Sequence, residues 1–192
     1  MDSLKGKVAI VTGSSSGIGR AIAERLARDG ATVIVHYHVN ADKASQVAEG
    51  IQASGGRALV RQADMSRVAE AQRLVRETVK ELGRLDILVN NAGIGHVGTI
   101  LETTADDLDR LYAVNVRGTF DLTKAFIPGM IERHYGVIIN TASIGGVMAI
   151  KDRLAYCTTK FAIVALTKYL ALDHAGQGTR ARAVCPGRGD TP

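Results

Sequence analysis

Apolar residues along this chain fall into two alternating patterns. Short runs rich in β-branched residues occupy positions 8–11, 32–37, 58–61, 87–90 and 137–141, and each reads as a strand. Between them apolar residues recur at spacings of three and four, which predicts helices over 18–28, 41–54, 68–82, 105–122 continuing through 124–133, and 155–173. A sixth, weaker run at 180–185 stands where a strand is due. Turn residues separate these stretches at Asp29-Gly30, Gly55-Gly56, Gly83, Gly95, Gly136 and Gly145-Gly146. Strands alternating with helices imply a parallel sheet covered on both faces, an α/β fold with a doubly wound sheet. No internal repeat, low-complexity tract or linker interrupts the pattern, so positions 1–192 are expected to form one domain.

Composition narrows the function classes. At 192 residues, 46% apolar and 22% charged, the chain can bury one sizeable core, and no apolar run approaches the roughly 20 residues of a membrane helix. The run at 8–11 is too short for the core of a signal peptide. Net charge is +5, yet Lys and Arg are interspersed with Asp and Glu, and no basic block carries interleaved aromatics. Nucleic acid is therefore not expected as a partner, whereas a small anionic ligand is compatible. Two isolated cysteines, Cys157 and Cys185, supply neither a disulfide framework nor a zinc site, which points to a reducing, cytoplasmic setting. His36 and His38 at i and i+2 would share a strand face, but a third ligand at suitable spacing is lacking and no metal is expected.

Candidate chemistry sits at strand ends. Thr12-Gly13-Ser14-Ser15-Ser16-Gly17-Ile18-Gly19 follows the first strand and opens the first helix, the context of a phosphate-binding loop. There Gly13 would permit the tight turn, Gly17 would admit pyrophosphate to the backbone and Gly19 would allow close packing of the helix. Asp64 ends the third strand and Asn90-Asn91-Ala92-Gly93 ends the fourth. Both lie where ligands bind in open α/β sheets, although Asp64 would serve equally as a helix N-cap and Asn90 to Gly93 as a polar turn. Tyr156 and Lys160 stand one turn apart on the last helix. A free phenol titrates near 10, and bringing it to neutrality takes roughly 4 kcal/mol of preferential phenolate stabilisation, which an adjacent ammonium in a desolvated cleft can supply. Such a pair is an acid/base device.

In this order the motifs resemble the short-chain dehydrogenase/reductase family over nearly the whole chain: the Thr12 to Gly19 loop, Asp64, the Asn90 to Gly93 turn, Asn115 in Asn115-Val116-Arg117-Gly118, Ser143, Tyr156, Lys160 and Pro186-Gly187. The resemblance implies a Rossmann-like sheet and an oxidoreductase moving a hydride between a nicotinamide cofactor and a ketone or secondary alcohol. Tyr156 would be the general acid/base. Lys160 would stabilise its phenolate and bind the nicotinamide ribose, Ser143 would hold the substrate oxygen, and Asn115 would orient water passing protons to Lys160. The resemblance places Gly13, Ser15, Ser16, Gly17, Ile18, Gly19, Tyr37, His38, Asp64, Met65, Asn91, Ala92, Gly93, Pro186, Gly187 and Thr191 around the cofactor. Because His36-Tyr37-His38-Val39-Asn40 holds no carboxylate to grip the ribose hydroxyls, NADP(H) is favoured over NAD(H), and replacing His36 with Asp is expected to reverse that.

The family also implies a homo-oligomer paired through the helices carrying Asn115 and Tyr156. Departures stand out as well. Thr179, Ala181, Arg182 and Gly189 in the sixth-strand region stand where related sequences tend to carry a large aliphatic, Val, Asn and a β-branched residue, which weakens strand propensity and core burial. Arg188 is atypical beside the nicotinamide border, and family members continue beyond the point where this sequence stops, with a substrate-covering loop and a seventh strand. A six-stranded domain incomplete at its C-terminus is thus expected. A nucleotide-binding module or fragment without turnover is the alternative.

Overall fold

The structure, a computed structural model, describes residues 3–187. Six parallel strands, β1 (Val8–Val11), β2 (Thr32–Tyr37), β3 (Arg57–Gln62), β4 (Ile87–Asn90), β5 (Gly136–Thr141) and β6 (Thr179–Val184), form one sheet in the order β3-β2-β1-β4-β5-β6. Helices α1 (Gly17–Arg28), α2 (Ala41–Ala53), α3 (Val68–Leu82), α4 (Ala105–Leu111), α5 (Gly118–Glu132) and α6 (Leu154–His174) make the crossovers. The strand order reverses between β1 and β4, so the loops leaving those two strands diverge and open a crevice at their carboxyl ends.

Strand alternation divides the core. Val8 and Ile10 of β1 point to one face with Ile34, Leu88 and Ile138, where Leu74 of α3 and Leu122, Phe126 and Met130 of α5 cover them. Ala9 and Val11 point to the other face with Val33, Val35 and Val89, beneath Ala23 and Ala27 of α1 and Val47 and Ile51 of α2. Because both faces are covered, the central strands read as unbroken apolar runs. Ile10, Val11, Ile34 and Leu88 are fully buried, and each such side chain contributes roughly 1.5–3 kcal/mol relative to exposure.

The sixth strand forms despite its sequence. It pairs with β5 over its full length, from Gly136↔Thr179 to Thr141↔Val184. Thr179 and Ala181 turn inward, while Arg180 and Arg182 are exposed, so the charged positions never meet the core. Backbone pairing with an already ordered neighbour offsets the weak propensity.

The helix expected over 105–133 is interrupted. α4 opens on a capping box in which the Thr104 hydroxyl accepts from the Asp107 N–H at 3.1 Å and the Asp107 carboxylate accepts from the Thr104 N–H at 3.3 Å. It then widens into a π-turn over Tyr112–Arg117 before α5 begins. The wide turn carries Asn115. Among the described residues no helix is long and apolar enough to cross a membrane.

Candidate active site

The loop between β1 and α1 is held from beneath by a polar lattice. The Thr12 hydroxyl accepts the N–H groups of Asn91 and Ala92, both at 2.9 Å, and donates to the Val89 carbonyl at 3.3 Å. The Asn91 side-chain amide donates to the carbonyls of Thr12 at 2.9 Å and Gly13 at 3.2 Å. The ends of β1 and β4 are thereby tied across the crevice. Gly13 sits at φ +63°, and a Cβ there would lie 3.0 Å from the Ala92 Cα. At Gly19 a Cβ would come within 2.5 Å of the Asn91 amide nitrogen, so only glycine lets α1 start this close to the turn. Ser16, the N-cap of α1, makes no side-chain capping bond, and the first turn holds no acidic residue. The positive end of α1 is therefore left for an anion.

His36 does not lie where a ribose would be gripped. It is fully buried, accepting the Gly13 N–H on Nδ1 at 3.0 Å and donating from Nε2 to the Ala63 carbonyl at 2.9 Å. Since one nitrogen must accept and the other donate, the ring is the neutral Nε2–H tautomer. Burial pulls its pKa down to about 4; the Ala63 contact opposes this and nearby His38 adds to it. The buried Ser14 completes the bracket, its hydroxyl accepting the His36 N–H at 2.9 Å and donating to the Val11 carbonyl at 2.7 Å. The substitution of His36 by Asp, expected above to retune cofactor choice, would instead place a carboxylate under the glycine loop. At this strand end Tyr37 is half-buried and packs against the core beneath α1 and α2, while His38 is exposed.

Asp64 lies beside His38, with His38 Nε2 at 3.7 Å from its carboxylate. It is not the N-cap of α3, a position Arg67 holds. Its carboxylate accepts the Ser66 N–H at 2.9 Å and the Ser66 hydroxyl at 2.7 Å, while its own N–H donates to Glu70 at 2.7 Å. Burial pushes the carboxyl up, but the two Ser66 bonds with His38 and Arg67 outweigh it and hold the group below the usual carboxylate range. Met65 contributes its side chain to the core, so only its backbone can face a ligand.

Across the crevice, Ser143, Tyr156 and Lys160 line one cleft of about 780 Å³ together with Ile18, Asn91, Gly93, Pro186 and Gly187. Ser143 ends the loop after β5, where its Oγ accepts the Gly145 N–H at 3.1 Å. Pro186 is drawn to the same place because its carbonyl accepts the Ile144 N–H at 2.8 Å. Tyr156 and Lys160 share a face of α6, with the Lys160 ammonium 5.7 Å from the Tyr156 ring centre. That ammonium donates to the Thr141 carbonyl at 2.9 Å and is nearly buried. Burial pulls its pKa down to about 8, against a small opposing effect of Cys185.

Asn115 joins this cluster from the π-turn. Its side chain accepts the Ile94 N–H at 2.8 Å, returns a bond to the Ile94 carbonyl at 3.0 Å and donates to Thr159 at 3.0 Å. The loop after β4 and α6 are fixed to each other through this one amide, close by Gly93. Asn90, by contrast, points into the interior, where its amide donates to Asn140 at 2.8 Å and Asn140 donates to Thr167 at 2.8 Å. Thr191, Arg188 and Gly189 lie outside the described residues. Thr12, Ser14 and His36 were missed as supports of the loop, although their place beside its first glycine is itself a signal. Arg153, which also lines the cleft, was missed because nothing in its sequence context sets it apart from a surface arginine.

These residues fit a dinucleotide: a glycine cradle that a Cβ would fill, an uncapped helix N-terminus, and a cleft running from that helix to a buried ammonium. Among the described residues no group of His, Cys, Asp and Glu is arranged to hold a metal.

Comparison with known proteins agrees. The sequence profile of the short chain dehydrogenase family matches residues 7–192. The D-beta-hydroxybutyrate dehydrogenase of Cupriavidus necator is 44% identical over 190 residues, 98% of this chain and 73% of the relative. The 2-(S)-hydroxypropyl-CoM dehydrogenase 3 of Xanthobacter autotrophicus is 40% identical over 96% of this chain and 72% of its own length. A crystal structure of a short chain dehydrogenase from Burkholderia cenocepacia in complex with NADP superposes with a TM-score of 0.91 at 39% identity, covering 98% of this chain and 77% of that one. The chain belongs to the short chain dehydrogenase family of NAD(P)-dependent oxidoreductases.

Proposed function

We propose that this chain interconverts a small ketone and its secondary alcohol, with Tyr156 as general acid/base. The observation that carries the reading is the meeting of Ser143, Tyr156 and Lys160 in one cleft opposite the open N-terminus of α1. A nicotinamide cofactor, when bound, supplies or accepts the hydride. The chain's own residues do the rest. Ser143 hydrogen-bonds the substrate oxygen, and Tyr156 gives that oxygen a proton during reduction or takes one during oxidation. Lys160, one turn along, favours the phenolate by its charge. Its burial keeps it close enough to deprotonation to exchange a proton with water that Asn115 would orient. Gly13 to Gly19, with Ser15, Ser16 and Ile18, receives the pyrophosphate side, and Gly93, Pro186 and Gly187 border the nicotinamide side.

NADP(H) is the favoured cofactor in this reading. No carboxylate stands between His36 and Asn40, His38 is exposed beside the adenosine side of the crevice, and the Burkholderia structure is a complex with NADP. Self-association through the helices carrying Asn115 and Tyr156 is part of the reading, supported by the exposed Phe120 on α5 and Phe161, Tyr169 and Leu172 on α6. A monodisperse monomer by light scattering rejects it.

Titration of NADPH and NADH into the purified chain, with reduction of a ketone panel followed at 340 nm, tests the whole. Nucleotide binding with ketone turnover supports the oxidoreductase. Binding without turnover selects a nucleotide-binding module, and a folded sample that binds neither nucleotide overturns both.

A further inference from the structure

The wall that carries Tyr156 and Lys160 holds a second cation. Arg153, the N-cap of α6, stands three residues before Tyr156 and lines the same cleft. Its position is built by the chain on both sides. Asp152 adopts a left-handed backbone at φ +58°, uncommon for a residue other than glycine, and its carbonyl accepts the Gly98 N–H at 2.8 Å. Gly98 and Arg153 then form an isolated parallel bridge, so the loop after β4 clips the backbone of Arg153 against the mouth of the cleft.

The guanidinium is half-buried and sparsely engaged. One nitrogen donates to the His96 carbonyl at 3.3 Å, and among the described residues no carboxylate pairs with it, in contrast to Arg84, which clasps Asp86, or Arg20, which pairs with Glu24. A guanidinium offers five N–H donors in a planar fork suited to a carboxylate. Among the described residues the cleft supplies no carboxylate partner. Its described lining contains Arg153 and Lys160 and neither Asp nor Glu, with Ile94, Ile144 and Ile150 as apolar walls. Lys160 is committed to the Thr141 carbonyl deep in the site, which leaves Arg153, among the described lining residues, as the cation with donors to offer.

We infer that Arg153 anchors a carboxylate on the substrate, so that the pair interconverted here is a short hydroxy acid and its oxo acid. The inference rests on the oxidoreductase reading above and names its substrate class. The reacting oxygen meets Tyr156 and Ser143, the short carbon chain lies along the isoleucines, and the anion closes on the free face of the guanidinium. Hydride and proton are transferred at the carbinol carbon and its oxygen as proposed above, and the carboxylate takes no part in bond making.

The matched probes are acetoacetate and its neutral methyl ester. Steady-state reduction of both is measured for the wild type, Arg153→Met and Arg153→Lys, and calorimetric binding of both is measured on Tyr156→Phe with and without Arg153→Met, each saturated with oxidised nucleotide. The wild type is expected to prefer the acid, and Arg153→Met to lower the acid-to-ester ratio of kcat/KM about ten- to hundredfold, chiefly through KM, the size expected for losing a charge-assisted pair. Arg153→Lys restores part of the ratio, because it keeps the charge without the fork. Arg153→Met also weakens acetoacetate binding, but not ester binding, in the Tyr156→Phe background.

A ratio unchanged by Arg153→Met overturns the inference: an arginine that only props the His96 carbonyl lowers acid and ester together. Arginine-dependent acetoacetate binding with no turnover by any variant keeps the anion anchor and brings down the oxidoreductase reading instead.

Discussion

The Gly13 N–H donates to Nδ1 of His36 at 3.0 Å, so the first glycine of the nucleotide loop hangs on a side chain from the end of β2. Only the neutral ring can accept that bond while donating to Ala63. Protonation therefore removes the loop's support at the moment it places a charge in the core.

The consequence is a specific acid sensitivity. The folded-state pKa of about 4 lies below the ordinary 6.5, so between those values the unfolded chain binds the extra proton. The stabilisation is fully present above pH 6.5 and is lost as pH falls towards 4, amounting to roughly 2 kcal/mol by pH 4.5. Denaturant melts of the wild type and His36→Asn at pH 7.5 and pH 4.5 check this. The stability advantage of the wild type at pH 7.5 shrinks by about that amount at pH 4.5. A gap independent of pH contradicts the account.

In the proposed mechanism Lys160 exchanges stability for function. Its pKa is lowered by burial from 10.5 to about 8, so keeping it charged at pH 7 costs on the order of 3 kcal/mol. The wild type is accordingly flat in stability below about pH 8 and gains stability from there towards 10.5, as the folded lysine loses its proton first. In Lys160→Met the cost disappears along with the bond to Thr141. The melting temperature of the variant at pH 7 is expected to rise by a few degrees, its alkaline gain to vanish, and its kcat to fall at least a hundredfold. Thermal melts across pH 7–10 with a parallel assay read all three.

In the proposed reading, cofactor choice is set at the carboxyl end of β2. Tyr37 is its last residue, half-buried, and His38 follows it into solvent beside Asp64. A carboxylate introduced by Tyr37→Asp repels a 2′-phosphate and can accept from ribose hydroxyls. The ratio of NADPH to NADH affinity, by fluorescence titration, is expected to fall at least tenfold. An unchanged ratio places the ribose elsewhere.

The sequence made the strands legible wherever burial on both faces demanded unbroken β-branched runs, as in Thr32–Tyr37, whose limits are reproduced to the residue. It was least informative where backbone pairing decides. β6 forms with Arg180 and Arg182 facing out because β5 presents an ordered edge, a tertiary effect that no local propensity contains. The π-turn at Tyr112–Arg117 was invisible for a similar reason: apolar spacing fits an α-helix across it, and the widened turn is sustained by the bonds of Asn115 to Ile94 and Thr159. The candidate site was readable as a set of residue types in order, but not their division of labour. Asn91, read as a cofactor contact, braces Thr12 and Gly13 in the structure, and His36, read at a ribose, is the loop's buried support.

The central claim, that Tyr156 moves the proton while the glycine loop and its surroundings hold the nucleotide, is tested most directly by Tyr156→Phe in a single pair of measurements. Phenylalanine keeps the ring and removes only the hydroxyl. Nucleotide affinity by titration is predicted to stay within about threefold of wild type, while kcat/KM for ketone reduction falls at least a thousandfold, within the roughly 10²–10⁴ ascribed to general acid catalysis. Retention of more than a tenth of wild-type kcat/KM by the variant, with nucleotide still bound, contradicts the account.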